Sequence, residues 1–170
     1  MANDGEASQW LDRLAIQDLI WRYSDAVNRA DIAQYESLFA ADALLESPAL
    51  GLHYEGRAAI RGFLEPTSTY DLLLQTPHCP VVTVTGPHAA RATTTIHEFI
   101  RGVRTMDTTM GATGTEINLE QYGIYYDDFA RIDGEWRFTH RLFVPTYVGL
   151  DCVTGDVLTA RAKLPRPDST

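Results

Sequence analysis

The sequence predicts an α+β fold, with N-terminal helices packed on one face of a curved antiparallel or mixed sheet that makes a cone-shaped α+β barrel. Three observations predict it. Helical periodicity is confined to residues before about Leu64, β-type runs fill Cys79 to Val148, and the two textures are segregated rather than alternating. A chain of 170 residues is one domain's worth. At this size folding buries roughly 70% of the unfolded surface, so the core needs no staples. We expect residues 1–170 to form a single domain, with 1–7 and 163–170 frayed.

The first helix is expected from about Ser8 to Arg29. Ile16, Ile20, Tyr23 and Val27 recur at offsets of four, three and four, on one stripe that Leu19 widens. Asp31 reads as an N-cap with Gln34 three residues on, opening a second helix that buries Ile32, Tyr35, Leu38 and Phe39. A third, short helix is expected from Arg57 to Leu64, opened by Gly56 and stopped by Pro66. Residues up to Leu64 should therefore be mainly helical.

Strands follow. Cys79 to Thr85 is bracketed by Pro77, Pro80 and the Gly86-Pro87 turn, and Ala90 to Arg104 is rich in Thr, Ile, Phe and Val. Asn118 to Arg131 and Glu135 to Val148 flank Asp133-Gly134, a strong hairpin signal. Thr105 to Thr115, with five threonines, Gly111 and Gly114, reads as a mobile hairpin loop. A sheet wrapped on a long helix leaves a conical pocket, where a function would sit.

Composition excludes several classes. The net charge of −9, from 23 acids and 14 bases, argues against nucleic-acid and anionic-lipid binding. Two cysteines, Cys79 and Cys152, make neither a disulfide scaffold nor a four-thiolate zinc site. Five scattered histidines show no metal spacing, and no phosphate-binding loop or serine elbow occurs. No signal peptide or membrane span is evident, so a cytoplasmic location is expected.

Several segments resemble a known family. Leu14 to Tyr23 (LAIQDLIWRY), Asn28-Arg29-Ala30-Asp31, Leu38 to Ala43 and Tyr54 to Ile60 are similar to SnoaL-like proteins of the nuclear-transport-factor-like (cystatin-like) superfamily. The final hairpin, Tyr125 to Phe138 (YYDDFARIDGEWRF), is the most telling piece. Within that superfamily the resemblance is nearest to the group of scytalone dehydratase, bile-acid dehydratase and hexachlorocyclohexane dehydrochlorinase. It implies elimination of water or hydrogen chloride without metal or organic cofactor, on a small, apolar, cyclic or polyketide- or steroid-like substrate.

The resemblance also implies the site residues. Tyr23 and His78 fit the helix tyrosine and the proton-abstracting histidine, and Asn28 stands where the group has an acid. A carboxylate there fixes the imidazole tautomer and stabilises its cation; an amide supplies no charge, and the same swap in a serine-protease triad costs roughly 10⁴ in rate. A natural variant of other chemistry, a binding protein without catalysis, and an introduced Asp→Asn substitution all fit. His97, which shares a strand face with Phe99, Tyr125 and Arg141 match further cavity positions. In this reading His78 removes a proton, Asn28 orients its imidazole, His97, Tyr23 and Tyr125 hold water or polarise an oxygen, Arg141 is a further catalytic residue inside the cavity, and Tyr125 and Phe99 contact the substrate. The alternatives are a non-catalytic binding or oligomerisation domain, and an isomerase or cyclase on the same scaffold. The long apolar strands after Asn118 predict a homo-oligomer, a trimer in preference to a dimer.

Overall fold

Helix α1 (Asp4–Arg29) carries the predicted stripe, and Ile16, Ile20, Tyr23 and Val27 are all buried. The structure, a computed structural model, describes residues 4–164. Residues 4–7 form the first turn of α1 instead of fraying, and Arg161–Lys163 form a short 3-10 turn; the expected frayed residues 1–3 and 165–170 lie outside the described residues.

Asp31 caps α2 (Ile32–Ser37) as expected, its carboxylate accepting the Gln34 backbone N–H at 3.1 Å. The reciprocal half of the box does not form, because the Gln34 side chain donates to the Arg22 carbonyl and to Asp25. The helical reading fails next. Phe39 opens strand β1 (Phe39–Ser47), and Leu52–Glu55 form β2. Ala43, Leu45 and Ser47 are buried in alternation, a period of two that the flanking alanines disguise as helix. Helix α3 (Arg57–Leu64) begins at Gly56 as expected.

Four long strands complete the sheet: β3 (Leu72–Gly86), β4 (Ala89–Val103), β5 (Glu116–Ile132) and β6 (Glu135–Leu150). The order is β2-β1-β6-β5-β4-β3, with β1 and β6 parallel and every other pair antiparallel. β3 starts at Leu72, well before Cys79, and tolerates Pro77 and Pro80 because it is an edge strand with a bulge between His78 and Val81. Asp133 and Gly134 both take positive φ, 52° and 86°, the conformation a two-residue hairpin turn requires.

The sheet is mixed and not closed. α1 packs on β3 at one edge and on β6, three strands away, so the sheet curls around the helix. The aromatic core sits between them, where Tyr23, Tyr35, Phe39 and Phe138 have ring centroids 5.2 to 6.1 Å apart. After β6 the chain returns to α1. Arg161 donates to the carbonyls of Val27, Asn28 (3.3 Å) and Thr67 (2.7 Å), placing a cation at the helix C-terminus.

Candidate functional site

Between α1, α3 and the inner face of the sheet lies a cavity of about 120 Å³. Its walls are apolar, with Val27, Phe63, Leu64, Leu73, Ile100 and Phe143 prominent. That volume is close to the roughly 150 Å³ that admits benzene in an engineered apolar cavity. The loop 105–115 closes one side through Met106, Thr108 and Met110. Thr109 ties it down, donating to the carbonyls of Leu50 (backbone N–H, 3.1 Å) and Ala49 (hydroxyl, 2.8 Å), so the segment expected to be a mobile loop is anchored across the cavity.

A polar row crosses this apolar wall. Gln75 of β3 stands opposite Glu98 of β4, which stands opposite Gln121 of β5. All three are buried and face inward. The Gln75 amide donates to one Glu98 oxygen at 3.2 Å and to the Tyr125 hydroxyl at 3.3 Å; the Gln121 amide donates to the other Glu98 oxygen. Ser24 of α1 completes the chain by donating to the Gln75 side-chain amide oxygen at 2.9 Å. Burial pushes the Glu98 carboxyl above the ordinary carboxylate range, against the opposing pull of the two amides and of Arg161.

Behind the cavity wall Arg141 fills the aromatic core. Its guanidinium carbon lies 3.8 Å from the ring centroids of both Tyr23 and Tyr125, and 4.4 Å from that of Phe138. Asp127, its cross-strand neighbour, approaches at 3.1 Å and 3.3 Å. Burial raises the Asp127 carboxyl to about 7, although Arg141 and His140 pull it down. The Tyr23 and Tyr125 hydroxyls are raised by burial and lowered by Arg141.

Residues 8–142 match the family model of the SnoaL-like domain. The chain belongs to the SnoaL-like domain family. Solved structures agree in fold. One is a candidate scytalone dehydratase from Novosphingobium aromaticivorans DSM 12444, with a TM-score of 0.70 at 18% identity, covering 87% of this chain and 93% of that one. A second is hexachlorocyclohexane dehydrochlorinase LinA-type3 from Novosphingobium barchaimii LL02, with a TM-score of 0.72 at 15% identity, covering 91% and 99%. A third is a protein of unknown function with a cystatin-like fold from Nostoc punctiforme PCC 73102, with a TM-score of 0.61 at 16% identity, covering 80% and 92%. Identities this low speak to fold alone. No curated protein matches the chain in sequence.

The SnoaL-like fold brings together only part of the expected site. Tyr23, Tyr125 and Arg141 converge, Arg141 behind the two rings rather than in the cavity. Asn28 and His78 do not meet. Both ends of the Asn28 amide bind the peptide of Gln75, donating to its carbonyl at 2.9 Å and accepting its N–H at 2.6 Å. His78 lies three residues further along β3, roughly 10 Å at strand spacing, and is exposed. His97 and Phe99 face outward, because Ile96 and Glu98 take the inward parity of β4. There His97 pairs with Glu120 at 2.7 Å and stacks on Tyr122 with centroids 4.3 Å apart. Among the described residues no group of His, Cys, Asp and Glu could hold a metal ion. None of their helices is long and apolar enough to cross a membrane.

Glu98 is the buried carboxyl of the cavity, and the sequence reading does not single it out. Its signal was present: in Ile96-His97-Glu98-Phe99-Ile100 the acid shares parity with two isoleucines, so burying them buries it.

Proposed function

We propose that this SnoaL-like protein is a cofactor-independent acid–base enzyme of the lyase type, acting on a small, apolar, ring-bearing substrate, with Glu98 as the proton-transfer group in place of His78. The observation that carries this reading is the Glu98 carboxyl, buried in an apolar cavity and held by two amides. A carboxyl raised by burial is a stronger base than one in water, suited to taking a proton from carbon near neutral pH.

The residues assign the steps of a dehydration. The Glu98 carboxylate takes the proton α to a substrate carbonyl, and the electron pair moves to the carbonyl oxygen. Tyr125, whose oxygen accepts from Gln75, has its own proton to donate to that oxygen. The enolate then re-forms the carbonyl and expels the β-hydroxyl, which leaves as water with the proton from Glu98. Arg141 acts as a positioning residue, its charge against the Tyr23 and Tyr125 rings favouring their hydrogen bonds to an anion. Return of the proton to a different carbon would make the same site an isomerase.

The test is proton–deuterium exchange by NMR on small cyclic ketones and β-hydroxy ketones. Glu98→Gln should lower exchange by about 10² or more, the usual worth of a general base. An undiminished rate in Glu98→Gln overturns the role. A second reading, a non-catalytic binding domain, is favoured by one observation: the acid–histidine pair of the dehydratase resemblance is not in the cavity. Binding without exchange in the wild-type protein would select it.

We also propose a homo-oligomer, a trimer in preference to a dimer. The support is the outer face of the sheet, where Val81, Tyr126, Val144 and Tyr147 are exposed.

A further inference from the structure

Arg104, just past the end of β4, lines the same cavity and is only 8% exposed. It shares the inward parity of Ile96, Glu98 and Ile100. Its backbone is engaged, the N–H donating to the Thr115 carbonyl at 2.8 Å and the carbonyl accepting from Gly114 at 2.9 Å. Its guanidinium, among the described residues, has no carboxylate within ion-pair reach and no hydrogen-bond acceptor. The other two buried arginines are both answered. Arg141 has Asp127, and Arg161 has three backbone carbonyls. A buried cation without an anion is costly, so its retention calls for a partner from outside the chain.

The loop is shaped around this side chain. A Cβ at Gly111 would lie 2.7 Å from Arg104 Nε and 3.2 Å from its Cδ and Cζ, so the loop packs directly on the guanidinium and a side chain there would push it aside. The cavity that Arg104 lines is mainly apolar, with Leu50, Ile100, Met106, Met110 and Ile117 among its walls; Glu46, which also lines it, is paired with His140 and His53. The side-chain amide oxygen of Gln121, another cavity residue, is also buried without a partner among the described residues.

We infer that Arg104 is the anchor for a carboxylate, and that the ligand of the cavity is an apolar, ring-bearing monocarboxylate. The guanidinium presents parallel N–H donors that match a carboxylate in a bidentate pair. This deepens the proposed function by naming the substrate class, and rests on that reading only for what happens at Glu98. The two charges are kept apart, since Arg104 lies six residues beyond Glu98, one past the end of β4, roughly 20 Å at strand spacing before the side chains reach inward. The ring would therefore lie against Glu98 and the carboxylate against Arg104, away from the like charge.

The experiment is equilibrium binding by calorimetry, with 4-phenylbutanoate and its neutral amide as matched probes and no turnover involved. Wild-type protein should bind the acid at least roughly tenfold tighter than the amide, a charge-assisted pair's margin. Arg104→Gln should abolish that preference, while Arg104→Lys should keep part of it. Glu98→Gln should retain the preference, which separates this proposal from the proton-transfer role. Equal affinity for acid and amide in the wild type, or no binding of either, overturns the proposal without requiring any variant to fold. So does a preference that survives Arg104→Gln.

Discussion

Glu98 and Asp127 are inward-facing carboxyls on neighbouring strands, and burial raises both. They differ in what answers them: Glu98 has two neutral amides and the cavity, Asp127 the guanidinium of Arg141. The sign for stability follows. In the folded state Asp127 titrates at about 7, against 3.8 for an ordinary aspartate. Between those values the folded chain holds a proton that the unfolded chain has released. The stabilisation is fully present below the unfolded value and is lost as pH rises through the folded one; Glu98 adds to the same trend. Melting temperature should therefore fall as pH rises from about 4 to 7. Asp127→Asn should flatten that slope, because the amide mimics the protonated carboxyl and does not titrate. A slope unchanged in Asp127→Asn, read by calorimetric scans across this range, would show that Asp127 titrates normally. Of these residues the sequence singles out Tyr23, Tyr125 and Arg141, and the fold unites them. It also sets Glu98 within an apolar alternation, where the eye goes to the neighbouring histidine.

At the scale of elements, Asn28 is a clamp. Its amide pairs with the Gln75 peptide and fixes the end of α1 against β3, which sets Gln75 beside Glu98. The likeness to an acid–histidine pair makes Asn28→Asp a candidate restoring change; the geometry predicts the opposite. An aspartate would place a carboxylate oxygen against the Gln75 carbonyl and lose the donated hydrogen bond. Asn28→Asp should destabilise the protein by about 1–3 kcal/mol, the cost of leaving a buried polar group unanswered, and should not increase proton exchange. Denaturant melts and the exchange assay check the two halves, and increased exchange would return Asn28 to the reacting centre. Elements with a clear period were legible: α1, α3 and the β5–β6 hairpin stand where the pattern puts them. β1 was not. Ala40, Ala41 and Ala43 suit a helix, and only pairing with β2 and parallel to β6 makes that segment a strand.

For the whole molecule, the curled sheet turns one face to α1 and the other to water. Its outer face carries exposed Tyr126, Val144 and Tyr147, with Val81 at the edge strand. Light scattering at micromolar concentration should give a multiple of the chain mass, three being preferred. Tyr126→Glu should shift it toward monomer, since a charge is costly where apolar faces meet. A wild-type monomer would contradict the oligomer.

Local pattern determined much of this protein. Periodicity and turn chemistry set the order of helices and long strands, and the family likeness supplied the SnoaL-like fold. Tertiary structure alone decided which residues share the cavity. Strand parity turned His78, His97 and Phe99 outward and Glu98 inward. Register, a relation between strands far apart in sequence, aligned Gln75, Glu98 and Gln121 in one row. Whether a charged side chain finds a partner depends on every segment that reaches it, which is why Arg141 is answered by Asp127 and Arg104 is left open to the cavity.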